Sequence, residues 1–188
     1  MNVDQARSLM HEWVASESLR GHMEAVASCM AHHARLVAPD EVERWTVAGL
    51  LHDFDYERHP TPAEHPFVGV EHLRGAGVDD EILEAILGHA EYSGVPRTTA
   101  MAKHLFACDE LAGFIVAVAK VRPNGIADLE AKSVRKKLKD KAFAAAVSRE
   151  DIAKGIEELG VDSSEHIARC IEAIRGEAGR VGLSAPEP

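Results

Sequence analysis

The segment TTAMAKHLFACDELAGFIVAVAKV, residues 98–121, is the stretch that decides the fold. It is the most apolar helical pattern in the chain, and the turn residues Arg122-Pro123-Asn124-Gly125 stop it. A helix with so little polar surface is stable only when neighbouring elements cover it. We therefore expect this segment to be the central helix of a bundle.

Outward from this segment, apolar residues recur at three- and four-residue intervals, and no strand-like alternation competes with that pattern. The predicted helices cover residues 4–16, 22–37, 41–54, 65–73, 79–90, 98–121, 128–140 and 163–181. A break is expected at 16–21, an N-cap at Asp40 and a capping box starting at Ser148. We expect an all-α helical bundle in which residues 126–188 form a helical C-terminal extension packed on a core of residues 1–125. Residues 184–188 are expected to fray.

The charge balance argues against a polyanionic partner, since 21 Lys and Arg face 31 Asp and Glu, a formal net charge of -10. One basic run exists, and we interpret it as a solvated helix face rather than a nucleic-acid site. It comprises Lys132, Arg135, Lys136, Lys137, Lys139 and Lys141.

Three isolated cysteines, Cys29, Cys108 and Cys170, lie in apolar helical contexts without a CxxC pair. They indicate small buried side chains in a reducing compartment. The first residues lack a signal pattern and no apolar run is long enough for a bilayer, so we expect a cytoplasmic protein without a membrane partner.

Histidine occurs 11 times, which directs attention to the places where imidazoles and carboxylates meet. His52-Asp53 ends a predicted buried helix, and Asp109 lies within the central apolar helix. An ionised Asp in such a setting is costly unless it is paired or bound to a cation. Taken alone, Asp109 is also explained by a buried ion pair or a helix cap, and His22 by an ordinary hydrogen bond.

Taken together, His22, His52-Asp53 and Asp109 lie on three predicted helices and resemble the metal signature of the HD superfamily of phosphohydrolases. The resemblance covers residues 18–121, and Leu-His-Asp at 51–53 and Ala-Cys-Asp-Glu-Leu at 107–111 are similar to bacterial HDIG-type hydrolases. It implies a helical bundle whose core, residues 1–125, binds at least one divalent metal. The sequence departs from the HDIG pattern at Phe54-Asp55-Tyr56, where no Gly-Lys follows, so any role of that lysine does not transfer.

His65 and His89 stand where binuclear HD proteins carry the ligands of a second metal. By resemblance, Asp53 would then bridge two ions. A mononuclear site in which these two histidines cap a helix or contact phosphate is an equal alternative. The other histidines are assigned to the surface or to packing, and they are His11, His32, His33, His59, His72, His104 and His166.

The resemblance implies hydrolysis of a phosphomonoester, a nucleotide or a phosphodiester by a metal-activated water, with Asp53 as the catalytic residue. Imidazole and carboxylate ligands suit Mn, Fe, Co, Ni or Zn better than Mg. Arg20 and Tyr56 are candidates for contacts to phosphate or to the metal ligands, with ordinary surface positions as the alternative. Two other functions stay open: an HD-type di-iron oxygenase and a non-catalytic metal- or nucleotide-sensing module. No oligomeric state follows from the sequence.

Overall fold

The computed structural model describes residues 1–183, and over these residues it is helical without a strand. The expectation of an all-α fold is therefore confirmed. The expectation for 184–188 lies outside the described residues. In chain order the helices are α1 Val3–Trp13, α2 Glu17–Val37, α3 Val42–Leu51, α4 Phe67–Gly75, α5 Asp80–His89, α6 Ala100–Lys120, α7 Ala131–Leu138, α8 Arg149–Leu159, α9 Ser163–Gly176 and α10 Ala178–Val181.

The two longest helices, α2 and α6, form the centre of the bundle. Helix α6 packs against α2, α5, α8 and α9, and α2 also packs against α3 and α9. The central position predicted for α6 is confirmed, and α2 shares it. Both helices are 21 residues long and bury residues on more than one face, so each can contact several neighbours at once.

Close approach between helices depends on two glycines. A Cβ atom added at Gly49 of α3 would lie 2.6 Å from the Cα atom of Ala27 in α2. One added at Gly155 of α8 would lie 2.6 Å from the Cα atom of Ala107 in α6. Any larger side chain at either position would force the two backbones apart, because interiors are packed without spare room.

Several predicted boundaries were wrong, and local capping explains them. Helix α2 begins at Glu17 rather than at residue 22, because the Ser16 side chain accepts a hydrogen bond from the Leu19 amide. Asp40 is not an N-cap, since it lies in a 3-10 turn, Pro39–Glu41, that precedes α3. The predicted last helix is divided at Glu177 into α9 and α10.

The helices after residue 125 pack on the earlier ones through α8 on α6 and α9 on α2, and both halves contribute to one hydrophobic cluster. Arg97 ties α8 to the end of α5, because its guanidinium donates to Glu158 at 2.6 Å and to Glu91 at 2.8 Å. Most of the basic run on and after α7 is exposed. None of the helices in residues 1–183 combines the length and apolar character that crossing a bilayer requires.

Candidate metal centre

Imidazoles and carboxylates from five segments meet beside α6. His22 lies in the second turn of α2, and His52 and Asp53 follow α3 directly. Asp109 lies in the middle of α6. The other two members are His65, just before α4, and His89, the last residue of α5. All six ligand candidates named from the sequence are thus brought to one place.

The first group surrounds one oxygen of Asp109. The Nε2 atom of His22 lies 3.0 Å from Asp109 Oδ1, and that of His52 lies 3.4 Å from it. The two Nε2 atoms are 3.2 Å apart. Oδ2 of Asp53 completes the group at 3.8 Å from His22 and 3.7 Å from His52.

The second group uses the other oxygen of the same aspartate. Oδ1 of Asp53 lies 3.3 Å from His65 Nε2 and 3.3 Å from His89 Nε2. These two nitrogen atoms are 3.3 Å apart. Asp53 therefore stands between two pairs of imidazoles and presents a different oxygen to each pair.

Three of the four imidazoles are oriented by a hydrogen bond at Nδ1. His52 donates to the Gly49 carbonyl at 2.8 Å, His89 to the Ile86 carbonyl at 2.5 Å, and His65 to Asp55 at 2.7 Å. An oxygen acceptor at Nδ1 keeps the proton on that nitrogen in the neutral ring. The Nε2 lone pair of each ring is then free to face a cation.

The charges of the site stabilise each other. Burial lowers the pKa of His52, but the negative charges of Asp53 and Asp109 outweigh this effect and raise that pKa to about 9. Burial also lowers the pKa of His65, and hydrogen bonds with Asp53 and Asp55 raise it to about 9. Burial raises the pKa of Asp53, yet the charge of His52 and hydrogen bonds from two other imidazoles bring that pKa well below its ordinary value.

The donor atoms fit divalent transition metals. Ligands bound at about 2.0–2.2 Å to one ion lie about 3.0–3.4 Å from each other, and most of the separations within each group fall near that range. Two sets within this centre can hold an ion: His22 with His52 and Asp53, and Asp53 with His65 and His89. Nitrogen and carboxylate oxygen together are the ligands that Mn, Fe, Co, Ni and Zn share.

The model of the HD domain family matches residues 19–113, half of the chain, and this segment contains all six of these side chains. The chain belongs to the HD domain family. No curated protein and no solved structure matches it. HD domains are typically metal-dependent phosphohydrolases that bind divalent ions, and the two groups around Asp53 give this HD domain a place where such ions can be held.

An open cleft of about 460 Å³ leads to the two groups of the HD domain. Its wall includes Tyr56, Tyr92 and Phe106, and also the carboxylates of Glu110 and Asp151. Within residues 1–183, no Lys or Arg lines it.

Arg20 and Tyr56 were candidates for contacts to phosphate or to the metal ligands. Tyr56 lines the cleft, and Arg20 does not. The Arg20 guanidinium donates to the backbone oxygen of Val14 at 2.7 Å and to that of His11 at 3.0 Å. The Arg20 side chain therefore caps the C-terminal end of α1, which is a structural role.

Two residues of the site were missed by the sequence analysis. Asp55 is buried and holds His65, and its second oxygen accepts the Gly69 amide at 2.8 Å. Glu110 lines the cleft, and burial together with the charge of Asp109 raises its pKa to about 7. Asp55 lies between the helices predicted for residues 41–54 and 65–73, and nothing in the local sequence predicts its burial. The sequence signal that could have identified Glu110 is its position directly after Asp109, a candidate metal ligand.

Proposed function

We propose that this HD domain is a metal-dependent phosphohydrolase that binds two divalent ions and acts on a small phosphomonoester, nucleotide or phosphodiester. The observation that carries the proposal is the position of Asp53, whose two oxygens each face a separate pair of imidazoles. A carboxylate placed in this way can bridge two ions, and a bridged pair of ions is a common arrangement in phosphoryl transfer.

The proposed ligands divide between the two oxygens of Asp53. His22, His52 and Asp109 would hold one ion with Oδ2, and His65 and His89 would hold the other with Oδ1. Bound ions would supply Lewis acidity toward the phosphoryl oxygens and activate water as the nucleophile.

The chain's own residues set the electrostatics of the cleft. Because no Lys or Arg lines the cleft within residues 1–183, the charge of a phosphoryl group has to be neutralised at the proposed ion sites. The Tyr56 hydroxyl can donate a hydrogen bond to the substrate. In the metal-free protein, burial and the charge of Asp109 raise the pKa of Glu110 to about 7. Its carboxyl group lines the cleft and can exchange a proton with a bound substrate.

The proposal is tested by metal analysis of the purified protein and by a panel of phosphatase and phosphodiesterase substrates with Mn, Co and Ni. We expect about two ions per chain at the HD site and hydrolysis of at least one substrate class that stops when a chelator removes these ions. A protein that binds no ion at these residues, or that hydrolyses nothing when fully loaded, would contradict the proposal.

The six-residue set also fits a second function, an HD-type di-iron oxygenase. The observation that favours it is the presence of His65 and His89 beside the four signature residues. Bound iron and visible colour in the purified protein, with oxygen consumption in place of phosphate release, would identify this function. A protein that retains its ions but neither hydrolyses phosphate esters nor consumes oxygen would instead indicate the non-catalytic metal- or nucleotide-sensing module.

Replacing Asp55 with asparagine is expected to lower the affinity for the second ion. The variant keeps the shape of the side chain but loses the carboxylate that holds His65 at 2.7 Å. Loss of such a partner typically costs about 10–100-fold in metal affinity. Competition with a chelator measures the change, and Asp80→Asn, an exposed position at the start of α5, is the control. Equal affinities for the two variants would contradict the orienting role of Asp55.

Metal affinity is expected to rise with pH between about 6.5 and 9. In the metal-free protein the pKa values of His52 and His65 are raised from 6.5 to about 9, so both rings carry protons that an ion has to displace. The same protonated rings stabilise the metal-free fold below pH 6.5, and this contribution is lost as pH rises through 9. Calorimetric titration in buffers of different ionisation enthalpy counts the released protons. A pH-independent affinity would contradict the prediction.

A further inference from the structure

A second cluster of potential metal ligands lies outside the HD site. Two thiols and two imidazoles meet where α2, α6 and α9 pack together. The four are His33 on α2, Cys108 on α6, and His166 and Cys170, one turn apart on α9. Each of them is no more than 2% exposed. The two residues on α9 lie beyond residues 19–113, the part of the chain that the HD family matches.

The four side chains converge on a common point. One ligand atom from each lies within 4.8 Å of the other three. The Cys170 Sγ atom is 3.8 Å from His33 Nε2 and 3.9 Å from His166 Nε2. Sulfur and nitrogen ligands of a tetrahedral zinc ion lie about 3.5 Å apart, since the bonds are about 2.3 and 2.0 Å long. The two separations from Cys170 Sγ are thus a few tenths of an ångström longer than in an ion-bound site, and the ligand atoms would move inward on binding.

The hydrogen bonds of the cluster do not fully satisfy its buried polar atoms. Among residues 1–183, the buried Nδ1 atom of His33 has no hydrogen-bond partner. The Nε2 atom of His166 has one oxygen acceptor, the Ala107 carbonyl at 3.2 Å, which an ion would replace. Imidazoles this deeply buried are costly when their hydrogen bonds are incomplete, and a bond to a cation through Nε2 would stabilise the buried rings without pairing Nδ1.

We propose that His33, Cys108, His166 and Cys170 bind a structural zinc ion that fastens the C-terminal helix α9 to the HD core. Two thiolates and two imidazoles are a ligand set that favours zinc, and four protein ligands leave no open position for a substrate. On binding, the two thiol protons pass to solvent.

The proposed zinc site is separate from the HD site. His33 follows His22 by 11 residues on α2, which places the two sites about 16 Å apart along that helix. On α6, Cys108 and Asp109 are neighbours, but successive helix residues project about 100° apart, so each turns to a different site. The ligand sets share no residue, and the six candidates of the HD site include no sulfur.

The experiment is cobalt substitution of the full chain carrying Asp53→Ala, which removes the bridging carboxylate of the HD site. Protein produced in medium that contains Co²⁺ is expected to retain about one ion per chain and to show thiolate-to-cobalt charge-transfer absorption in the near ultraviolet. This absorption requires a cysteine ligand. It is therefore expected even if the HD site binds no metal or catalyses no hydrolysis.

Two further substitutions test the assignment in the same background. Cys170→Ala is expected to abolish the charge-transfer absorption and the retained ion. Cys29→Ala is the matched control, because Cys29 is equally buried and its thiol lies 3.8 Å from the Cys170 backbone oxygen, yet it is outside the ligand set. The charge-transfer absorption of the Cys29→Ala protein should be unchanged. Absence of the absorption in the Asp53→Ala protein, or equal absorption in Cys170→Ala and Cys29→Ala, would overturn the proposal.

X-ray absorption at the zinc edge provides a measurement that needs no substitution in this cluster. Zinc in the unsubstituted protein is expected to show sulfur neighbours at about 2.3 Å in addition to nitrogen and oxygen neighbours. A shell of nitrogen and oxygen alone would also overturn the proposal, and it would do so even if the Cys170→Ala protein failed to fold.

Discussion

Replacing Asp53 with alanine is expected to remove the ions of the HD site and to lower phosphohydrolase activity by about a thousandfold or more. The carboxylate faces both pairs of imidazoles, at 3.3 Å on one side and at 3.7 and 3.8 Å on the other. Its loss takes a ligand from each ion and removes one of the negative charges that balance the imidazoles, leaving those of Asp109 and Asp55. Losing Lewis-acid assistance costs several kcal/mol of barrier, and each 1.36 kcal/mol is a factor of ten in rate.

Metal stoichiometry and the rate constant kcat, measured on the same preparation, test this prediction. The control is Asp80→Ala, which removes an exposed carboxylate from the first turn of α5, the helix that carries His89. It should retain its ions and its rate. An Asp53→Ala protein that is folded and still carries both ions would refute the ligand assignment.

Replacing Gly49 with alanine is expected to destabilise the fold by about 3 kcal/mol or more, because inserting a methyl group into a packed interface forces the backbone to shift. The added Cβ atom would lie 2.6 Å from the Cα atom and 2.8 Å from the backbone nitrogen of Ala27. Neither atom can rotate away as the end of a side chain could, so α2 and α3 have to separate. A chain of this length would lose about 6–12 °C in Tm.

The same substitution is expected to weaken metal binding, because the Gly49 carbonyl accepts the hydrogen bond that orients His52. Gly75→Ala is the matched control, since an added Cβ atom there meets no atom of residues 1–183 within 4 Å and the residue ends a helix, α4. We expect its stability to be unchanged or to rise by up to about 1 kcal/mol. Thermal unfolding of both variants, with and without added metal, makes the comparison. Equal Tm values would show that α2 and α3 tolerate the extra methyl group.

Three candidate ligands of the HD site, His52, Asp53 and Asp109, were accessible to sequence reasoning because they interrupt or end apolar helical patterns. Asp109 interrupts the most apolar helix, and His52-Asp53 ends another. The resemblance then connected these residues with His22, His65 and His89, and the structure brings all six together. Their role as metal ligands stays a prediction until ions are measured.

Helix boundaries depended on single side-chain caps. The Ser16 hydroxyl starts α2 five residues before the predicted position, since one hydrogen bond to the Leu19 amide decides whether the first turn forms. Such a bond changes the helix length without changing the apolar periodicity from which the helix was predicted.

By itself, the sequence determined that the protein is helical, which segment is central and which residue types are available for metal chemistry. Only the tertiary structure decided that Asp55 holds His65, that no Lys or Arg within residues 1–183 lines the cleft, and that Cys108 and Cys170 meet two imidazoles. Helical periodicity is a local property that neighbouring residues set. Contacts between helices far apart in the chain depend on crossing angles and on the packing of many side chains, which no local pattern records.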